Sequence, residues 1–323
     1  MIYPWQESAW EQLGLQVRRM PHALLLHGPQ GIGKLQLAER FAQGLLCEST
    51  DAGRKPCGSC EGCRWFSAGS HPDFRRVEPE ALARPAGIGD DEEAAAPARA
   101  AKPSLEIKVD QVRALADFLN LKSHRDGPRI ALVHPAESMN ANAANALLKG
   151  LEEPPGRAMF VLVSHRPARL LATVRSRCVA VPVPIPDRTA SLAWLGDQGL
   201  AEAASWLAFA SGSPLQALQY ASAFGATLGR RREALAARDL DALGAVNDRE
   251  QLEELAEVLQ KHALDKAFVS YCGRAKYGNT ARSRDAVAWL RYARRLGRDR
   301  ALARHPMNPR LFAAEMLKGL PEE

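Results

Sequence analysis

A parallel-sheet α/β domain of the nucleotide-binding kind, followed by a helical remainder, is the fold predicted by three observations. The segment Gly28-Pro29-Gln30-Gly31-Ile32-Gly33-Lys34-Leu35 carries the glycine frame and lysine of a phosphate-binding loop. It lies between the apolar run Ala23–His27, which reads as a buried strand, and a helical pattern over Lys34–Leu46. Short apolar runs then alternate with helical patterns as far as Val183, the signature of a parallel sheet covered on both faces.

Taken in order, the predicted strands are Ala23–His27, Phe74–Val77, Arg129–His134, Met159–Ser164 and Cys178–Val183. The helices between them are Lys34–Leu46, Asp110–Leu121, Asn140–Glu153 and Ala168–Val174, with Asp110 placed as an N-cap. Pro154-Pro155 stops the alanine-rich helix before it. Residues 80–104 are dominated by Ala, Pro, Gly and the acidic run Asp90-Asp91-Glu92-Glu93, with almost nothing to bury, so a mobile insertion is expected there. Pro182, Pro184 and Pro186 form a stiff connection that closes the sheet domain. Beyond them the pattern is helical, with Ser213-Pro214 as a cap and first turn. The simplest division is residues 1–185, a small helical unit over 186–226 and a larger one over 227–323, without internal repeats.

The 323 residues, 46% hydrophobic and 25% charged, suit a globular chain of two or three domains. No stretch approaches the roughly 18 apolar residues of a membrane span, and Met1-Ile2-Tyr3-Pro4-Trp5 begins no secretory signal, so a cytoplasmic location is expected. A net charge of +6 is compatible with nucleic-acid work but too mild to establish it. The basic stretch Arg282–Arg304 reads either as a solvated helical face or as a patch facing DNA or another subunit.

In a phosphate loop, glycines let backbone N–H groups turn inward around the β-phosphate, the lysine reaches the outer phosphates, and a Ser/Thr oxygen holds Mg²⁺. Gly28, Gly31, Gly33 and Lys34 supply the cradle, but position 35 is leucine. A second Mg²⁺ oxygen normally comes from a carboxylate at the end of a later strand. Here that strand is followed by His134-Pro135-Ala136-Glu137. Proline cannot coordinate a metal, and neutral histidine is a poor Mg²⁺ ligand. Glu137 is displaced by two residues. Nucleotide binding stays open, whereas hydrolysis by this chain alone is not expected.

Cys47, Cys57, Cys60 and Cys63 follow the spacing C-x9-C-x2-C-x2-C. In a cytoplasmic chain, four thiolates this close suit a closed tetrahedral Zn²⁺ site, structural because no coordination position stays open. An iron–sulfur cluster also accepts four cysteines. A redox pair would expect a thioredoxin-like βαβ setting, which is not seen.

Several stretches together resemble the delta-prime subunits of bacterial DNA polymerase III, a clamp-loader family of the AAA+ superfamily. They are Tyr3-Pro4-Trp5, His22–Leu26, the cysteine quartet, Asn142–Pro155 ending in Glu-Glu-Pro-Pro, and Leu170–Cys178 with its Ser-Arg-Cys. The resemblance is dense over residues 1 to about 185; Ala210–Pro214 marks the family's second domain. It implies an AAA+ parallel-sheet fold with a zinc module at 47–63, a helical lid at 186–226 and a helical collar at 227–323. It assigns Arg177 to an arginine finger that reaches a neighbouring subunit's ATP, where the residues alone suggest a surface arginine paired with a carboxylate. Ser164 falls where the superfamily places a γ-phosphate sensor, and serves equally as a strand-end cap. Leu215 stands where active loader subunits carry a sensor arginine.

The implied function is that of an ATPase-inactive clamp-loader subunit within the polymerase holoenzyme. Its partners would be delta and gamma/tau in a hetero-oligomeric ring, with the sliding clamp and primer–template DNA reached through the complex. The alternatives are an active gamma/tau-type ATPase and a zinc-knuckle DNA-binding protein. The last is weakly supported, since Cys47–Arg64 offers only Arg54, Lys55 and Arg64 as cations and no aromatic.

Overall fold

The computed structural model describes residues 2–19, 21–83, 103–123, 127–278, 283, 285–302 and 308–322. Most of the expected mobile insertion, residues 84–102, lies outside the described residues. The chain divides into two units, Met1–Ile185 and Pro186–Glu323.

The first unit is built on five strands, β1 (Ala23–His27), β2 (Phe74–Val77), β3 (Arg129–Val133), β4 (Ala158–Ser164) and β5 (Val179–Pro182). They form one sheet in the order β2-β3-β4-β1-β5, every pairing parallel. β3 and β4 are buried along their whole length, as a strand covered on both faces must be. Alternate side chains go to opposite faces. Leu24, Leu26, Ile130, Leu132, Val161 and Val163 pack with α1 (Glu7–Arg19) and α2 (Lys34–Leu46). Leu25, Ala131, Val133, Phe160 and Leu162 pack with α4 (Val109–Asn120) and α5 (Ala141–Glu152). Between α2 and β2 lies the short α3 (Glu61–Ser67), and α6 (Ala172–Arg175) precedes β5.

Asp110 is not the N-cap of α4. Lys108 holds that position in extended conformation, and its backbone N–H donates to Gln111 Oε1 at 2.8 Å. Asp110 sits within the first turn, where a carboxylate is also favoured, and lies 3.4 Å from Arg113. The expected helix over Ala168–Val174 is two shorter pieces, a 3₁₀ turn at Pro167–Arg169 and α6. Leu170 and Leu171 between them have ψ of 145° and 135°, which no continuous helix tolerates.

The second unit is helical: α7 (Arg188–Asp197), α8 (Ala203–Phe209), α9 (Pro214–Ala236), α10 (Leu240–Gly244), α11 (Arg249–Cys272), α12 (Ala286–Leu302) and α13 (Pro309–Lys318). Pro214 opens α9 and Ser213 stands at its N-cap without a side-chain capping bond. A small core around Leu195, Leu207, Ala210 and Ala217 joins α7, α8 and the start of α9. A larger one around Leu255, Leu259, Trp289, Tyr292 and Met316 joins α11, α12 and α13 and takes Leu228 and Leu235 from the far part of α9. In the basic stretch, Arg295 pairs with Asp299 and Glu315, and Arg300 pairs with Glu257. No helix among the described residues is long and apolar enough to cross a membrane.

Candidate functional site: a phosphate loop beside paired imidazoles

Parallel strands bring their carboxyl ends to one edge of the sheet, and the loops leaving that edge form the site. His27 of β1 lies in register with Ser164 of β4, so the phosphate loop and the loop after β4 start side by side. Gly28, Gly31 and Gly33 take φ of +152°, +79° and +83°, which lets the chain turn its amides inward. At Gly33 the reason is also steric. A Cβ there would lie 2.6 Å from Gln6 Nε2 and from the Tyr3 ring. Trp5 Nε1 and Gln6 Nε2 both donate to the Ile32 carbonyl, at 3.0 and 2.9 Å, and Tyr3 stacks on Trp5 at 4.9 Å. The N-terminal turn is thereby fastened to the loop.

Lys34 is buried and its Nζ donates to the Pro29 carbonyl across the loop. Loss of hydration pulls its ammonium down to about 8, opposed by the Glu137 carboxylate. Leu35, without an oxygen, packs on the apolar cluster beneath.

At the end of β3, His134 Nε2 lies 3.2 Å from Nε2 of His165, which follows Ser164. Burial holds both imidazoles neutral, His134 at about 4 and His165 at about 3, aided at His134 by the neighbouring His165 and at His165 by Lys34. Glu137, in the 3₁₀ turn Ala136–Ser138, accepts the His165 backbone N–H at 2.9 Å. Ser164 is fully buried and its Oγ accepts the Arg166 N–H at 3.2 Å, a strand-end cap. The edge therefore presents amide donors, one buried lysine and two imidazoles, with no carboxylate directly after β3.

The cysteine quartet occupies the connection from α2 into α3. The four sulfurs of Cys47, Cys57, Cys60 and Cys63 lie within 4.8 Å of one another, and the pairs Cys47–Cys60 and Cys57–Cys63 are 3.9 and 4.0 Å apart. Four sulfurs placed tetrahedrally at about 2.3 Å from a Zn²⁺ are about 3.8 Å apart, so the donor set fits a metal ion. Backbone N–H groups of Cys57, Cys60 and Cys63 each donate to the sulfur of a preceding cysteine at 3.4 Å, fixing the ligands' orientation. The Cys60 N–H, with help from Ser59, draws the Cys57 thiol down to about 6, while burial pushes Cys63 up to about 12. Cys178 is separate from this group; burial raises its thiol to about 11.

Arg177 stands between α6 and β5. Its NH2 is 2.7 Å from Glu152 Oε1 at the end of α5, and its NH1 donates to the Thr173 carbonyl at 2.9 Å. In this state the guanidinium is partly exposed and engaged within the chain.

A family model described as DNA polymerase III, delta subunit, matches residues 5–186. The chain belongs to this family. A relative from Pseudomonas aeruginosa, DNA polymerase III subunit delta', is 43% identical over 67% of this chain and 60% of its own length. Across three delta' relatives the matched share of their length is 60%, 52% and 52%, so this delta-family chain matches between half and two thirds of each. The tau subunit from Escherichia coli is 32% identical over 51% of this chain and 22% of its own length. A solved structure of a DNA polymerase III gamma subunit-related protein from Thermotoga maritima superposes with TM-score 0.53, at 18% identity, over 95% of this chain and 97% of that one. The fold of this delta-family member is α/β of the AAA+ kind.

Three contacts of the family member escaped sequence reasoning. His165 could have been suspected as the polar residue next to Ser164, but its approach to His134 depends on strand order. The clamp of Trp5 and Gln6 on Ile32 spans more than 25 residues and leaves no periodic trace. The partner of Arg177 is Glu152, within the Glu-Glu-Pro-Pro segment that marks the family, though nothing in the spacing pairs the two.

Proposed function

We propose that this chain is the delta-prime-type subunit of a DNA polymerase III clamp loader, that it does not hydrolyse ATP in its own phosphate loop, and that Arg177 acts on the ATP of a neighbouring subunit. One observation carries the reading: an intact glycine frame with buried Lys34 stands beside imidazoles where Mg²⁺ chemistry requires oxygen. Mg²⁺ demands near-octahedral oxygen ligands. Leu35 offers none, His134 offers nitrogen already in contact with His165, and one Glu137 oxygen is taken by the His165 N–H. The cradle can still bind ATP or ADP through its amides and Lys34, without turnover.

The role of Arg177 is supported by its chemistry and setting. A guanidinium presents a planar fork to phosphate oxygens, and a finger supplied in trans is worth about 10³–10⁵ in rate. Its pair with Glu152 is partly exposed, of a kind worth ~0–1 kcal/mol, so a triphosphate presented by a neighbour competes for it at small cost. The quartet holds structural Zn²⁺ and staples a connection with little apolar surface of its own. The partners are delta and gamma/tau subunits in a hetero-oligomeric ring, with the sliding clamp and primer–template DNA met through the complex in the cytoplasm. Residues 186–226 serve as lid and 227–323 as collar.

The discriminating experiment against an active gamma/tau-type ATPase is phosphate release by the purified chain with ATP, Mg²⁺ and primed DNA. Release at background is expected; turnover abolished by Lys34→Ala would contradict the proposal.

A further inference from the structure

His134 and His165 are brought together by topology alone, from the ends of adjacent strands β3 and β4. Their rings cross at 81° with centroids 5.2 Å apart, and the two Nε2 atoms face each other at 3.2 Å. Two arrangements give such a separation, a hydrogen bond between imidazoles or one cation shared by both. Nitrogens at about 2.0–2.1 Å from a divalent ion lie about 2.8–3.4 Å apart for angles between octahedral and tetrahedral, a range that includes the observed distance. The same place holds three buried polar atoms with no hydrogen-bond partner among the described residues: His134 Nδ1, His165 Nδ1 and Glu137 Oε2. Both Nδ1 atoms stay unpartnered whatever lies between the Nε2 atoms, but the buried Glu137 Oε2 is an acceptor that a cation held there, directly or through its water, would satisfy.

We infer that His134 and His165 form a two-nitrogen site for one divalent transition-metal ion, separate from the cysteine quartet. The ion belongs to the class that prefers imidazole, Zn²⁺, Co²⁺, Ni²⁺ or Cu²⁺, and not to the oxygen-seeking Mg²⁺ and Ca²⁺. Glu137, fixed by the His165 N–H, supplies the negative charge nearest the pair. The remaining coordination positions fall to water. The affinity is modest for two reasons. Among the described residues neither Nδ1 has the second partner that contributes about 10–100-fold in metal affinity, and the Lys34 ammonium opposes a cation at both rings. Such an ion restores no Mg²⁺-type ATPase, since it rests on imidazole nitrogens and Leu35 still offers no side-chain oxygen beside the phosphate loop.

The test uses the full chain with its quartet saturated by Zn²⁺, titrated with Ni²⁺ by calorimetry and with Co²⁺ by visible absorption. One further equivalent is expected, with a spectrum free of the thiolate charge-transfer bands that exchange at the quartet would produce. Binding should weaken at least tenfold in His134→Ala and in His165→Ala and stay unchanged in His22→Ala, with thermal unfolding confirming that each variant folds. In the wild-type chain, which needs no substitution, the proton resonances of these two rings should broaden with substoichiometric Co²⁺ before those of the other histidines. Absence of a further equivalent, or its survival in the His134→Ala/His165→Ala double variant, or broadening that begins elsewhere, overturns the inference and leaves the contact as a hydrogen bond between imidazoles.

Discussion

Lys34 shows how far one side chain's environment shapes what the site can do. Its ammonium is buried against Pro29 and held at about 8, so a free chain above that pH carries a neutral amine where phosphate needs a cation. Nucleotide binding favours the protonated form. Affinity should therefore be flat below about pH 8 and fall about tenfold per unit above it, until the raised value of the bound state is reached. Titration of a fluorescent ATP analogue at pH 7 and pH 9 checks this, and Lys34→Met should remove both the affinity and its pH dependence. At the quartet, Cys60→Ser removes one of the four sulfurs while its hydroxyl can still cap α3. Metal analysis should fall from one Zn²⁺ per chain toward none, and amide exchange should rise across residues 47–67. The types and spacing of Lys34 and the cysteines were legible from the sequence because each is a local pattern. Contacts such as His134 with His165 and Arg177 with Glu152 were not, since they exist only once strands and helices are ordered in space.

β3 and β4 followed from composition because a strand covered on both faces must be apolar along most of its length. Arg129-Ile-Ala-Leu-Val and Ala158-Met-Phe-Val-Leu-Val-Ser have no other stable home in a parallel sheet. Leu162→Ala, fully buried in the central strand, should cost about 2–5 kcal/mol, read as a lower urea midpoint at unchanged slope. Helix ends were harder to read. Asp110 is a good capping residue by type, but Gln111 reaches the Lys108 N–H and moves the start of α4 two residues earlier than expected. The helix α1 and the turn before it went unpredicted, although they hold the phosphate loop in place through Trp5 and Gln6. Gly33→Ala tests that attachment, because its Cβ has no room against Tyr3 and Gln6 and its φ of +83° disfavours any side chain. A loss of about 1–3 kcal/mol is expected, with increased Trp5 solvent exposure in fluorescence quenching.

Taken together, the chain combines the glycine frame and buried lysine of a phosphate loop, no side-chain oxygen at position 35 or directly after β3, and Arg177 paired with Glu152. If the proposed role of Arg177 holds, this chain contributes to hydrolysis only across a subunit boundary, so its effect should be invisible in the isolated chain and measurable in an assembly. The family's place was legible from residues 5–186, where motif density is high. The helical unit from Pro186 onward offers periodicity but few motifs, and that one continuous helix, α9, contributes to both of its apolar cores emerges only from packing. Glu152→Gln should leave assembly unchanged and alter neighbour turnover by no more than a few-fold, because it removes only a partly exposed ion pair. The decisive measurement is DNA-stimulated ATP turnover by a reconstituted loader carrying Arg177→Ala in this subunit. The expected result is an intact complex that has lost the turnover of the neighbouring site and loads clamps more slowly; an intact complex with unaltered turnover and loading would contradict the role proposed for Arg177.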